Sequence, residues 1–290
     1  MFIKNFEYIF IFLINLITLF NSNPFLKIKM KIINLEEKYN HLYFMCLEDW
    51  SDEMKEAGDH KEKWYHKIKD KGLGVKLALN DDGNVVGMIQ YIPITYSIAQ
   101  GNDLYYINCV WVHSYDEGVG NFQKRGIGKT LLKAAEDDVK SKGAKGIVAW
   151  GISLPFWMKA SWFKKQGYVK VDKNSIAQLL WKPFKDDAVP PKWIKRNKTP
   201  EKKPGKVTVT SFINGWCPAQ NIVYERAKRA ALEFGDKVIF QEIDTFNRDT
   251  FSEWGIGDSL FIDGKEIRTG PPPSYEKIKK KIEKRVKKLK

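Results

Sequence analysis

The spacing of apolar residues changes period along this chain, and each change predicts an element. From Met30 the run MKIINL is apolar and extended, predicting a first strand over residues 30–35. Residues 36–70 are polar and acidic, yet Leu42, Met45, Cys46, Trp50, Met54, Trp64 and Ile68 recur near helical spacing, which predicts two helices. VKLALN and NVVGMIQYIPI alternate on either side of Asp81-Asp82-Gly83, the pattern of a β-hairpin. LYYINCVWVHS over residues 104–114 predicts a third strand. After it come a glycine segment, a helix through Lys142, a buried strand over 146–152, an aromatic helix over 156–166 and a last strand at IAQLLWKPF. Residues 185–206 are rich in Pro and Lys and have no periodic apolar face, so they read as a semi-extended linker between blocks 30–184 and 207–290. In the second block a strand, a helix beginning at Cys217 and another strand form a βαβ unit. A short helix, a hairpin at Asp263-Gly264 and a final helix complete it. The chain as a whole is predicted to be mixed α/β (α+β), with a mostly antiparallel first sheet flanked by helices.

Composition narrows the classes. At 290 residues, 43% hydrophobic and 13% aromatic, the chain can bury two modest cores. Lys and Arg number 49 against 35 Asp and Glu, a net charge of +14 that favours anionic partners. The basic end KIKKKIEKRVKKLK carries Ile278, Ile282, Val286 and Leu289 on one helical face, so its lysines read as a solvated side. No helix-turn-helix, zinc-finger or aromatic RNA-binding motif supports specific nucleic-acid recognition. Cys46, Cys109 and Cys217 are widely spaced without a C-x-x-C, and His41, His60, His66 and His113 pair with none of them. Neither a disulfide framework nor a metal site is implied, and a reducing cytoplasm fits. Residues 6–20 form an apolar run of 15 residues containing Glu7, short of the roughly twenty that span a bilayer. No small-x-small cleavage site follows it. Residues 1–29 therefore read as an extension outside the native fold, which begins at Met30, with an anchor or uncleaved signal as the minority reading; no membrane partner is expected.

The segment QKRGIGKTLLKAAEDDVK places Gly126 and Gly128 between a strand and a helix. Unpaired amides at such a helix start converge on an anion, and glycines let a phosphate approach the main chain while Lys124, Arg125 and Lys129 add charge. A glycine turn with a basic surface explains the segment alone about equally well. Gln123-x-x-Gly126-x-Gly128, after the strand CVWVH and before KTLLKAAEDDVKSKGAKGIVAWGI, resembles the Q/R-x-x-G-x-G/A signature of GNAT-family N-acetyltransferases. The element order over residues 30–184 is similar to that family's as well. The resemblance implies acetyl-CoA as co-substrate, its pyrophosphate on the amides of Arg125, Gly126, Ile127, Gly128, Lys129 and Thr130, and its pantetheine beside Trp111 and Val112. It implies direct attack of a small-molecule or peptide amine on the thioester.

The family's usual acid and base do not carry over. The base position falls at Asn108 and Cys109, the usual tyrosine is Phe163, and the usual asparagine aligns near Trp157. Substitute bases are His113, Asp116 and Glu117, or a relayed water; His113 as an inert loop residue is the competing reading. Tyr105 and Tyr106 are candidate donors or plain packing. The acidic run Glu48, Asp49, Asp52, Glu53, Glu56 and Asp59 reads as attracting a cationic amine or as a solvated helix face. Trp150, Phe156, Trp157 and Trp162 are candidates for the pocket floor or for core.

The second block looks like a thioredoxin-like domain in which Trp216-Cys217 matches the start of W-C-x-x-C and Gln220 replaces the second cysteine. A helix N-terminus is expected to lower the pKa of Cys217, allowing a monothiol or sensing role, against a retired redox scaffold. The whole arrangement resembles bacterial and archaeal GNAT proteins with a YoaP-type C-terminal domain. The alternative function is a CoA-binding thiol redox or sensor protein acting through Cys217.

Overall fold

The alternating segments between residues 74 and 112 form the middle of a sheet, in a computed structural model that describes residues 30–154 and 158–289. The expected extension at residues 1–29, and Phe156 and Trp157, lie outside the described residues. In chain order the first part comprises β1 (Lys31–Asn34), α1 (Asn40–Phe44), α2 (Asp52–Lys55), α3 (His60–Ile68), β2 (Gly74–Leu79), β3 (Val85–Pro93), β4 (Ala99–Gln100) and β5 (Leu104–Val112). It continues with α4 (Ile127–Ser141), β6 (Gly146–Ile152), α5 (Ala160–Lys165), β7 (Val169–Asn174) and β8 (Ala177–Pro183). Seven strands pair in the order β1-β2-β3-β5-β6-β8-β7, and only β5 and β6 run parallel. The hairpin turns where expected, with the Gly83 amide donating to Asn80 O and φ +80 at Gly83.

Three expectations need correction. The two helices over residues 36–70 are three short α segments and flanking 3-10 turns, because Cys46, Leu47 and Gly58 adopt left-handed backbone that interrupts any continuous helix. The last strand is a hairpin: β7 had no legible apolar face because it is an edge strand with mostly exposed side chains. The aromatic helix is shorter than expected and begins at Ala160.

One face of the sheet is covered by α4, whose Ile127, Leu131, Leu132, Ala135 and Val139 recur on one side and pack against Ile89, Ile107, Ile147 and Phe163. Each such fully buried aliphatic side chain contributes about 1.5–3 kcal/mol. The other face buries Trp64, Ile68, Tyr106, Val148 and Trp193.

The second sheet contains β10 (Val207–Ile213), α6 (Pro218–Leu232), β11 (Val238–Asp244), α7 (Arg248–Trp254), β12 (Ser259–Ile262), β13 (Lys265–Ile267) and α8 (Tyr275–Val286), after β9 (Lys192–Trp193) in the intervening segment. Its order is β11-β10-β12-β13, with β10 and β11 parallel and β12 antiparallel to β10. Ile278 and Ile282 of α8 are buried in its core and Val286 and Leu289 pack beside them, as their spacing predicts.

The two sheets meet across a charged and aromatic seam. Arg226 on α6 is buried and donates to both oxygens of Glu56, at 2.6 and 3.3 Å, to Glu53 at 3.0 Å and to Pro273 O at 3.1 Å. Arg229 also bonds Glu56, and the His60 ring meets Glu225 at 2.6 Å. Gly215, at φ +97, lies so near α3 that a Cβ there would be 3.1 Å from His60 O. Trp216 follows and packs against apolar clusters of the first sheet. The segment 185–206 is extended but is not a free linker. β9 pairs with β4, the Asn197 amide donates to Trp254 O at 2.9 Å, and a Cβ on Gly255 would overlap Lys195 O. It is a strap fastened to both parts of the molecule.

Candidate functional site

β5 and β6 pair from Leu104↔Gly146 to Ile107↔Ala149 and then separate. β6 stays with β8 as far as Ile152↔Ala177, while β5 stays with β3 as far as Val112↔Gly87. The separation begins at a bulge: Ile107 faces Tyr91 and Cys109 faces Gln90, so Asn108 is the extra residue. Across this fork Trp150 Nε1 donates to Asn108 O at 2.9 Å. Beyond it, Val110, Trp111 and Val112 are half-buried along the edge of β5 that β6 has left.

At the end of that edge stands the start of α4. Lys124 (φ +61) and Gly126 (φ +81) are left-handed, and α4 follows directly, so successive amides turn toward one concavity. Among the described residues, the amides of Arg125, Gly126, Ile127, Gly128 and Lys129 make no hydrogen bond. Thr130 departs from expectation: its amide and hydroxyl both donate to Gly126 O, at 3.1 and 3.3 Å, so it closes the first helical turn instead of facing an anion. Only Gly126 is required by its backbone: it faces open space at a positive φ, whereas a Cβ on Gly128 would make ordinary contact with Trp162 at 3.4 Å. Trp162 therefore packs beside this cradle, half-buried against the core under α4. Gln123, Lys124, Arg125 and Lys129 are all exposed around it, with the Arg125 guanidinium 4.7 Å over the Phe122 ring. An open rim of cations above five free amides fits a diphosphate.

The loop after β5 is pinned by His113, which is completely buried. Trp50 Nε1, which can only donate, meets His113 Nε2 at 3.2 Å, so Nε2 accepts; Nδ1 must then carry the proton and donate to Gly120 O at 2.8 Å. Both ring nitrogens are engaged in a neutral tautomer, which removes His113 from the candidate bases. Asp116 and Glu117 are exposed on the loop after β5. Phe163 belongs to the apolar core under α4, and Tyr105 stacks edge-on against Tyr91. Tyr106 is buried on the opposite face, and its hydroxyl has no partner among the described residues.

The acidic run separates into different fates. Asp52 and Asp59 pair with Lys55 and Lys63, and Glu53 and Glu56 hold Arg226. Glu48 alone is buried, 9% exposed, with no ion pair or side-chain hydrogen bond among the described residues. Burial raises its pKa to about 7, with a further push from the Glu53 charge. The left-handed residues Cys46 and Leu47 directly precede it and turn it inward. Its charge reaches Cys109 on β5 and Tyr115, which places it beside the strand just past the fork. Its position within an acidic run concealed it in the sequence.

Cys217 caps the start of α6, but the expected lowering of its pKa does not occur. Burial pushes the thiol up to about 12, and Cys46 and Asp258 add negative charge nearby; this outweighs the helix terminus. All three thiols are free, burial raises the pKa of each, and Lys61, 2% exposed, donates to Tyr43 O at 2.6 Å and to Cys46 Sγ at 3.4 Å among them. The Asp258 carboxyl, raised to about 6 by burial, accepts the Asn214 amide at 2.8 Å and fixes the loop before Cys217.

Among the described residues no group of three or more His, Cys, Asp or Glu is arranged to hold a metal, and no helix is long and apolar enough to cross a membrane. Residues 33–168 match the model of the Acetyltransferase (GNAT) family, so this part of the chain is an acyltransferase domain of that type. No curated protein matches the chain. Among solved structures the chain is similar to a GNAT-family acetyltransferase of Staphylococcus aureus Mu50, with 18% identity over 54% of this chain and 99% of that one and a TM-score of 0.41. It is similar to the PaiA N-acetyltransferase of Thermoplasma acidophilum in complex with coenzyme A, with 17% identity over 54% and 99% and a TM-score of 0.40. A GNAT-family acetyltransferase of Brucella melitensis in complex with acetyl-CoA is 17% identical over 56% and 91%, with a TM-score of 0.36.

Proposed function

We propose that the GNAT acetyltransferase domain at residues 33–168 transfers an acetyl group from acetyl-CoA to the nitrogen of a small-molecule or peptide amine. The observation that carries this is the alignment of the cradle of free amides at residues 125–129 with the edge of β5 that β6 leaves after Ile107. Bound acetyl-CoA would supply the activated acyl carbonyl, with its diphosphate held by those amides and by Lys124, Arg125 and Lys129, and its arm beside Trp111 and Val112. Glu48 acts as general base. Near neutral pH its carboxylate takes the proton from the attacking nitrogen as the C–S bond breaks and CoA leaves as thiolate, which solvent protonates.

Titration of the full chain with CoA in a calorimeter tests this reading. Wild type is expected to bind at one site. Gly126→Ala imposes about 1–2 kcal/mol of left-handed strain on the cradle and should weaken CoA roughly five- to thirtyfold. Unchanged affinity in that variant would overturn the proposal.

Residues 207–290 are proposed to be a thioredoxin-like unit of the YoaP type. The supporting features are the parallel βαβ start, the β11-β10-β12-β13 order and Trp216-Cys217 at the start of α6. Gln220 at the second cysteine position and a Cys217 thiol pushed up to about 12 fit a scaffold without dithiol exchange, and nothing favours the sensor alternative. Three free thiols fit a reducing compartment such as the cytoplasm.

A further inference from the structure

The positive charge of the second unit is gathered on one helix. Residues 207–290 hold 16 Lys and Arg against 12 Asp and Glu; residues 275–290 alone hold nine against two, which leaves seven against ten for the rest. At about 100° per residue, Lys277, Lys280, Lys281, Lys284 and Lys288 fall within an arc of about 100° around α8. Ile278 and Ile282 lie outside that arc, buried in the core of the unit, so the lysines point to solvent. Lys277, Lys280, Lys284 and Lys288 are exposed and Lys281 is half-buried; none of the five has a salt bridge among the described residues. The neighbouring cations are answered: Lys279 pairs with Glu233 at 2.5 Å, Lys287 with Glu283 at 2.6 Å and Arg285 with Asp263 at 3.7 Å. Solvation alone does not account for this pattern. Lys277 and Lys281, Lys280 and Lys284, and Lys284 and Lys288 stand four residues apart, where like charges repel and weaken the helix. Lys277 also lies in the first turn of α8, where the helix dipole opposes a cation. A row of anions laid along the arc relieves both.

We propose that this face of α8 binds the phosphate backbone of duplex DNA without regard to sequence. From Lys277 to Lys288 the arc covers about 16 Å of helix axis, roughly one charge per 3–4 Å, close to the one phosphate per 3.4 Å that each strand of a duplex presents. An anionic membrane fits less well, because an interfacial helix sinks apolar side chains beside its cations, and Ile278 and Ile282 are already fully buried within the unit. A single strand needs rings on which its bases stack, and Tyr275, the one aromatic residue of α8, already faces the Arg229 and Lys279 cations at 5.3 and 5.9 Å. An RNA duplex is recognised through its 2′-hydroxyls, for which this arc of ammonium groups carries no dedicated partner. Contacts between lysine and phosphate position a protein on the duplex and read no base.

The test titrates the full chain against two fluorescent DNA duplexes of about 20 base pairs and unrelated sequence, read by anisotropy between about 50 and 200 mM salt. The two duplexes should bind within about twofold of each other. Affinity should fall several hundredfold over that salt range, the loss expected when about five phosphates are neutralised. Lys280→Gln, Lys284→Gln and Lys288→Gln combined should reduce the fall to roughly tenfold. A control combining Lys164→Gln, Lys165→Gln and Lys170→Gln, three exposed lysines of the first unit, changes the net charge equally and should keep the wild-type salt dependence. Neither triple variant should lower the melting temperature, since none of the six side chains has a salt bridge among the described residues. The proposal is overturned if no salt-dependent binding is seen, if the two triple variants behave alike, or if an RNA duplex or phosphatidylserine vesicles bind more tightly than DNA.

Discussion

Glu48→Gln gives the sharpest test of the proposed chemistry, because it removes one proton acceptor and changes little in shape. In the folded protein Glu48 is buried and lies near Glu53, which together raise its pKa to about 7 from the usual 4.5. Only the deprotonated form accepts a proton. About one tenth of it is therefore competent at pH 6, half at pH 7 and nine tenths at pH 8, so the rate should climb about tenfold per unit on the acid side and level off above pH 7. The Gln variant should lose on the order of 10²–10⁴ in kcat/KM and lose that acid limb. Glu53→Gln should shift the midpoint downward, because one of the two causes of the raised pKa is removed. The assay is release of the CoA thiol with any amine that supports turnover, followed from pH 5.5 to about 9, a range that brackets the midpoint. A Gln variant that keeps an acid limb near pH 7, or loses less than about tenfold, would refute Glu48 as base.

The same raised pKa has a stability consequence of opposite sense. The native state holds the Glu48 proton to about pH 7 and the unfolded chain releases it near 4.5, so this group's contribution is full below that window and is lost as pH rises through it; melts of Glu48→Gln should lack this slope. Arg226→Ala strips the partner from Glu53 and Glu56 and should cost about 1.5–3 kcal/mol in chemical denaturation, whereas an unchanged midpoint would show that the seam carries no stability. Gly255→Ala forces a Cβ into Lys195 O at a left-handed residue, and limited proteolysis should then cut the strap faster than in wild type. Cys109 and Cys217 should resist a disulfide-exchange reagent at neutral pH until the chain is unfolded, since burial holds both thiols protonated. Prompt labelling of either in the native protein would contradict the buried seam.

The cradle was legible because it depends on local backbone: two glycines before an amphipathic helix state both the left-handed turn and the helix that follows. The central strands were legible for a similar reason, since each alternates apolar side chains across a sheet with two covered faces. What escaped depends on partners distant in sequence. Thr130 looked free until its bonds to Gly126 O were seen, and His113 looked like a base until Trp50, 63 residues away, was found holding its lone pair. The acidic run offered two readings, attraction of an amine or solvation, and Asp49, Asp52 and Asp59 are exposed as solvation predicts. Glu53 and Glu56 engage α6, and Glu48 differs only because Cys46 and Leu47 turn it inward. β7 went unseen because an edge strand need not present an apolar side. Helix-terminus logic predicted an acidic Cys217, and burial reversed it.

The fastening of residues 192–197 across both sheets makes each half an incomplete object. A fragment ended at residue 184 would lose the indole of Trp193 from the cluster around Trp64 and Tyr106 and leave a trough beside β4. One begun at residue 207 would present Trp216 and the Arg226 guanidinium to water. Excision of either half therefore creates sticky, mispaired surface, and the intact polypeptide should melt in a single calorimetric peak whose width reports one cooperative unit.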